Sequence, residues 1–282
     1  MISPDMNRPS SVNANAGPLD VVGLVPAAGR GTRLQPLTCS KEIVPVGKVL
    51  DAVSGTIRPK VAAEYLLEKM RLAGITRTYV VIREGKWDIP EYFGEGGKVG
   101  MSLAYVVIPG SLGPPDTIDR AYSFVKPYRV AFGFPDILFE PDDAFVRLLA
   151  QQEATGADVV LGLHRVEEPQ QWDMVDSDEH GRVRGIFMKP AETTLEFGWH
   201  LAVWTSAFTE FLHRFLGSED TRRDLHWFAN KANDPGGDLA VGVVLQQALN
   251  AGLVISSVKF SETACLDIGN PENLAKAARL FS

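Results

Sequence analysis

Short β-branched apolar runs alternate with amphipathic helical stretches along almost the whole chain, and this alternation narrows the fold more than any other feature. Residues 21–26 are apolar apart from Gly23, which is the pattern of a buried strand. A glycine-bearing loop follows at 29–33. Arg58-Pro59-Lys60 then predicts the opening of a helix, with proline near its first position. Val61, Tyr65, Leu66 and Met70 would share one face, and Gly74 would stand at the C-terminal cap. Residues 78–82 read as the next strand. A strand, loop, helix and strand in succession is the opening of a largely parallel sheet with helices on its faces.

The alternation continues. It predicts strands at 103–108, 130–133, 159–163, 200–204 and 254–260, and helices at 117–125, 142–153, 207–215, 239–250 and 271–280. Residues 174–177 and 183–188 flank the polar turn Asp178-Glu179-His180-Gly181 and predict a β-hairpin excursion. The expected architecture is α/β with a mixed sheet, as a single domain over 19–282. Residues 1–18 are rich in Ser, Asn and Pro and are expected to form a disordered leader.

Composition removes several function classes. The net charge is −7 with no block of Lys or Arg, which argues against nucleic-acid binding, since that needs a basic stripe. Phosphate ligands need only a few placed cations and stay open. Cys39 and Cys265 are the only cysteines, so no disulfide framework is implied and a reducing compartment fits. No apolar run approaches the roughly 18 residues that span a bilayer. The start of the chain lacks a basic-then-apolar signal pattern, and a cytoplasmic location is expected.

The loop Ala27-Ala28-Gly29-Arg30-Gly31-Thr32-Arg33-Leu34 follows a buried strand directly. There its backbone N–H groups can approach phosphate oxygens, with Thr32 adding a donor and Arg33 a forked charge. It lacks the third glycine of the dinucleotide fingerprint and the Gly-Lys-Ser/Thr of a Walker loop. From these residues alone, a phosphate cradle and a plain glycine turn are both open readings.

The longer string is more specific. Pro26 to Leu34, then Pro36-Leu37-Thr38, then Ser40-Lys41-Glu42-Ile43-Val44-Pro45-Val46 resembles the sugar-1-phosphate nucleotidylyltransferase, or nucleotide-sugar pyrophosphorylase, family. That family includes the glucose-1-phosphate thymidylyl- and uridylyltransferases. Its pattern runs G-x-G-T-R-(L/F)-x-P-x-T, then P-K-E/Q-x-x-P-V. Later segments continue the resemblance: Gly133-Phe134-Pro135-Asp136-Ile137, the hairpin from Trp172 to Lys189-Pro190, and Leu266-Asp267-Ile268-Gly269-Asn270-Pro271. The resemblance implies a Rossmann-like, mostly parallel mixed sheet of the glycosyltransferase-A-like kind, with the hairpin on the sugar side. Relatives commonly assemble as dimers or tetramers, so a homo-oligomer is expected.

The implied reaction is attack of a sugar-1-phosphate oxygen on the α-phosphorus of a nucleoside triphosphate, UTP or dTTP being favoured, with loss of pyrophosphate. The resemblance assigns Ala28, Gly29, Gly31 and Thr32 to the triphosphate and Thr117 to the nucleotide base. It assigns Arg33 to the leaving phosphates, Lys41 to a bridge between the two substrates, and Lys189 to the sugar phosphate. Asp136 and Asp267 would hold Mg²⁺. Each has a plainer alternative: surface ion pairs for Arg33 and Lys41, a solvated hairpin end for Lys189, and helix-cap roles for the aspartates.

Departures from the family pattern cluster where specificity is set. Ser40 stands in place of the usual proline, and about a dozen extra residues, 47–57, stand where the family makes a short turn. The base-reading segment is Gly113-Pro114-Pro115-Asp116-Thr117, which leaves the base undecided. On the sugar side Asp173 and His200 occupy glycine positions and Met188 replaces a glutamate. A silent nucleotide or nucleotide-sugar binding protein of the same fold is therefore the alternative function. A glycosyltransferase is disfavoured, because Pro135-Asp136-Ile137-Leu138 is not a D-x-D motif. Trp172 and Trp199 read as packing residues. His200 and His226 have no ligand-spaced neighbours in sequence, so no metal is assigned to them.

Overall fold

A computed structural model describes residues 20–50, 55–218, 239–261 and 264–280. The expected leader at 1–18 and His226 lie outside these. The chain opens with β1 (Val21–Ala27), β2 (Pro45–Leu50), β3 (Ile57–Val61), α1 (Ala62–Leu72) and β4 (Arg77–Arg83). Next come α2 (Asp88–Phe93), β5 (Ser102–Ile108), α3 (Pro114–Asp119), α4 (Tyr122–Val125), β6 (Arg129–Gly133) and β7 (Ile137–Phe139). Then follow α5 (Ala144–Thr155), β8 (Val159–Arg165), β9 (Asp173–Ser177), β10 (Val183–Met188), β11 (Phe197–Trp204) and α6 (Ser206–Gly217). The last described elements are a helix at Val241–Asn250 (α7 here), β12 (Ile255–Phe260), β13 (Cys265–Asp267) and a helix at Pro271–Leu280 (α8 here).

Among the described residues, nine strands form one sheet with the path β10-β9-β11-β6-β1-β4-β5, and β8 joins β11 to β12. The stretch β6-β1-β4-β5 is parallel. β11 enters antiparallel between β6 and β8. β1 is central, and its side chains alternate. Val22 and Leu24 pack with α3, α6 and α7, while Val25 and Ala27 pack with α1 and α5. Burial on both faces is why this strand reads as a continuous apolar run. The hairpin β9–β10 forms as expected, at the sheet's edge.

The predicted helix start at Arg58-Pro59-Lys60 is wrong. These residues belong to β3, which pairs antiparallel with β2, and the helix begins at Ala62. Pro59 is tolerated because a two-stranded ribbon is all edge. The helix start is instead organised by buried Glu64, which takes both Arg58 nitrogens at 2.8 Å and faces the Val61 N–H at 3.5 Å. The 47–57 insertion is thus largely a hairpin, with residues 51–54 outside the described set. The helix expected over 117–125 is broken between α3 and α4 at Arg120-Ala121. β7 and β13 pair antiparallel as a separate ribbon that the sequence pattern did not reveal. That ribbon brings two distant aspartates together.

Candidate active site

The loop after β1 leaves the sheet at the C-terminal end of its parallel strands, the edge where open α/β sheets take ligands. Gly31 sits at φ +61, a left-handed conformation that costs any other residue about 1–2 kcal/mol. Thr32–Leu34 then makes a single 3₁₀ turn with Leu34 buried beneath it. A lysine that the sequence reading did not single out holds this loop from below. Lys86 Nζ donates to Ala27 O at 2.8 Å and Gly29 O at 3.2 Å, and to both Glu42 oxygens at 2.7 and 2.6 Å. Burial pushes the Glu42 carboxyl up and the Lys86 ammonium down, and the ion pair works against both shifts.

Lys41 opens the next 3₁₀ turn. The departure at Ser40 has a local reason. Its N–H and hydroxyl donate to Asp88 Oδ2 and Oδ1 at 2.6 and 2.8 Å, a clamp whose N–H half proline cannot supply. The clamp aims Lys41 at Asp136, and the two side chains form a close, mostly buried ion pair. Burial would raise the Asp136 carboxyl, but Lys41 brings it below its ordinary value.

Asp136 follows β6, and Asp267 ends β13. Pairing of Asp267 with Ile137, and the bond from Ile268 N–H to Asp136 O at 2.9 Å, bring the two aspartates side by side. Burial and the neighbouring Asp136 charge both push the Asp267 carboxyl up. Asp267 accepts from Gly269 N–H at 2.7 Å and lies 3.7 Å from Arg33. A Cβ on Gly269 would lie 2.6 Å from the Arg33 guanidinium, so a larger residue there would displace Arg33 from this approach.

These groups face one cleft of about 790 Å³. Ala28, Gly29, Thr32 and Arg33 line one wall of it, with Lys41, Asp136 and Asp267 beside them. Gly31 lines a smaller neighbouring hollow instead. Thr117 also reaches the cleft, but its hydroxyl is engaged by Ser111 Oγ at 2.6 Å and Gly113 O at 3.2 Å. At the other end, Lys189 is held at φ +41, a strained left-handed position, with its N–H on Trp172 O at 3.1 Å.

The far end of the cleft, toward Lys189, has a different character. Asp173 Oδ1 is buried with no hydrogen-bond partner among the described residues. Burial pushes this carboxyl up, against the opposing charge of Lys189. The Trp199 indole N–H approaches it without reaching hydrogen-bond geometry. Trp172 and Trp199 both line the cleft, and Trp199 is also part of the core. Met188 is 41% exposed. His200 is buried in the cleft floor and is not isolated, since His164 and Cys265 pack against it.

The sequence profile described as Nucleotidyl transferase matches residues 22–281, nearly the full length of the sheet and its helices. The chain belongs to the nucleotidyl transferase family. Its relatives in that family include the low-salt glycan biosynthesis nucleotidyltransferase Agl11 of Haloferax volcanii, 26% identical over 92% of this chain and 65% of that protein. A glucose-1-phosphate thymidylyltransferase of Streptomyces griseus is 29% identical over 60% of this chain and 44% of that protein. The chain therefore spans less than two thirds of either relative. A crystal structure of UDP-glucose pyrophosphorylase complexed with UDP-glucose superposes with a TM-score of 0.71 at 16% identity, covering 93% of this chain and 97% of that one. At that identity the likeness concerns the fold, and it matches the Rossmann-like, glycosyltransferase-A-like architecture expected from the sequence.

Proposed function

We propose that this nucleotidyl transferase moves a nucleotidyl group from a nucleoside triphosphate to a sugar-1-phosphate, forming a nucleotide sugar and releasing pyrophosphate. The observation that carries the proposal is the meeting of Arg33, Lys41, Asp136 and Asp267 in one cleft beside the glycine loop. Both substrates are polyanions, so charge repulsion is the main obstacle and positioning with electrostatics is the main remedy. In this reading the N–H groups of the loop and the Thr32 hydroxyl take triphosphate oxygens, and Arg33 stabilises the departing pyrophosphate. Lys41 lies between the α-phosphate and the attacking sugar phosphate, whose far side Lys189 neutralises.

Asp136 and Asp267 suit Mg²⁺. They are hard oxygen donors brought side by side, and the charge of Asp136 works against ionisation of Asp267, a conflict that a hard divalent cation relieves. Bound there, Mg²⁺ would neutralise phosphate charge near the reacting centre. Lys41 and Arg33 compensate the same carboxylates in the structure. Arg33 is 63% exposed, and an exposed pair of that kind contributes only about 0–1 kcal/mol, so its transfer to phosphate costs little. Lys41 is largely buried and gives up more when it turns to its substrates.

UTP or dTTP is the favoured nucleotide, by comparison with relatives named for thymidylyl transfer and for UDP-glucose. The single-domain reading is supported by one sheet running through the described chain. Assembly as a homo-oligomer is supported by the exposed apolar pair Leu50 and Ile57 on the β2–β3 hairpin, and sedimentation would test it. No helix among the described residues is long and apolar enough to cross a membrane.

The second reading, a silent binder, draws on Asp173, whose buried carboxylate stands where a sugar would approach. Pyrophosphate release from each of the common triphosphates, with a panel of sugar-1-phosphates, separates the two. Release with at least one pair supports the enzyme. Nucleotide binding with no release across the panel supports the binder.

A further inference from the structure

Beneath the cleft, His164 on β8 and His200 on β11 of the main sheet meet Cys265 on β13 of the separate ribbon, with one ligand-capable atom of each within 4.8 Å of the others. His164 Nε2 lies 2.6 Å from the carbonyl oxygen of Glu140, so this nitrogen carries the hydrogen and Nδ1 presents its lone pair. That Nδ1 is buried and has no hydrogen-bond partner among the described residues. A ring whose far N–H is held by a backbone carbonyl while its other nitrogen stays bare is oriented as metal-binding histidines are. Cys265 Sγ lies 3.6 Å from His200 Nδ1. A tetrahedral zinc ion with bonds of about 2.0–2.1 Å to nitrogen and about 2.3 Å to sulfur would hold such a pair roughly 3.5–3.6 Å apart.

We infer that His164, His200 and Cys265 form a buried site for a borderline-soft divalent cation, with Zn²⁺ the best match, separate from the carboxylate pair that suits Mg²⁺. Thiolate with imidazole selects such ions, whereas paired carboxylates select hard ones. Burial keeps both imidazoles neutral, with His164 lowered to about 4 and His200 well below its ordinary value, the form a ligand needs, but it pushes the Cys265 thiol up, so the cation must displace that proton on binding. Lys69, whose charge would oppose a cation here, is compensated by Asp142 and by Glu140 at 3.6 Å. His200 lines the cleft and Cys265 is only half-buried, which gives the ion a path inward.

The consequence is mechanical. β13 is three residues long and, among the described strands, pairs only with the equally short β7, whereas β8 and β11 belong to the main sheet. An ion bound to all three strands would pin β13 to the main sheet. Asp267 lies two residues beyond Cys265 on that strand, so its position would be firmed without contact.

The same Cys265–His200 approach also fits a plain thiol–imidazole hydrogen bond, and cobalt separates the readings. The full chain, stripped with chelator, is titrated with Co²⁺ in excess Mg²⁺. The inference predicts one Co²⁺ per chain, a near-ultraviolet thiolate-to-cobalt band, and displacement by Zn²⁺. Cys265→Ser should abolish the band and weaken binding by at least the ~10–100-fold that loss of an outer partner costs a metal site, while Asp136→Asn retains both. Zn²⁺ should raise the unfolding temperature of the parent chain but not of Cys265→Ser. No band at saturating Co²⁺ overturns the site, as does cobalt binding that survives Cys265→Ser and is lost in Asp136→Asn. Should Cys265→Ser fail to fold, X-ray absorption on the zinc-loaded parent chain decides. A shell with sulfur and imidazole nitrogen supports the site, and an oxygen-only shell overturns it.

Discussion

The two ends of the cleft are built differently. At the end proposed to take phosphate three ion pairs form: Lys41 with Asp136, Arg33 with Asp267, and Lys86 with Glu42, Lys86 also holding the loop carbonyls. At the end proposed for the sugar Asp173 carries a buried oxygen with no hydrogen-bond partner among the described residues, and Lys189 occupies a strained backbone conformation. Phosphate chemistry is common to all substrates of the proposed reaction, so that end can be largely paired before they arrive. The sugar end has unmet polar capacity that a particular ligand could satisfy. Under the proposed function, generality would reside at one end and selectivity at the other.

The sharpest way to break this contrast is to remove the pairing at the phosphate end. Lys86→Met strips buried Glu42 of its hydrogen-bonded cation, and should cost roughly 3–5 kcal/mol of stability in denaturant unfolding. A loss under 1 kcal/mol would mean the loop is held by something other than Lys86. Asp136→Asn should lower pyrophosphate release by about 10²–10³, or roughly 3–4 kcal/mol of barrier, measured per folded molecule because Lys41 loses its partner too.

The sugar end should respond more modestly and more selectively. Asp173→Asn is expected to shift the ratio between sugar-1-phosphates by about 1–3 kcal/mol, since a buried acceptor is exchanged for an amide, while nucleotide affinity stays level. It should also reshape the stability–pH profile. The raised carboxyl means that the folded chain holds this proton more tightly than the unfolded chain does, so that contribution is lost as pH rises through the raised value. The variant should therefore be the more stable form on the alkaline side, with the difference vanishing in acid. A nucleotide affinity that falls along with sugar selectivity would erase the distinction between the two ends.

The phosphate end was legible in the sequence because its parts lie in one contiguous string from Pro26 to Val46 and in two short segments around Asp136 and Asp267. The main strands were legible because burial on both faces leaves an unmistakable apolar run. The β2–β3 hairpin was hidden by Pro59, which favours a helix start in local reading and sits equally well on an exposed ribbon edge. β7 and β13, three residues each, are too short to show a period. Lys86 and Glu42 meet across 44 residues, and Cys265 and His200 across 65, so no local spacing announces either. Register between strands supplies those contacts.

In the proposed reaction Asp136 and Asp267 act as one unit on one polyphosphate. Pyrophosphate release at saturating Mg²⁺ should be measured for Asp136→Asn, Asp267→Asn and the double variant. If the two carboxylates share one ion, the double variant will be scarcely slower than the worse single one, because groups that act together lose their effect together. Losses that multiply, or a single variant that keeps full activity, would contradict it.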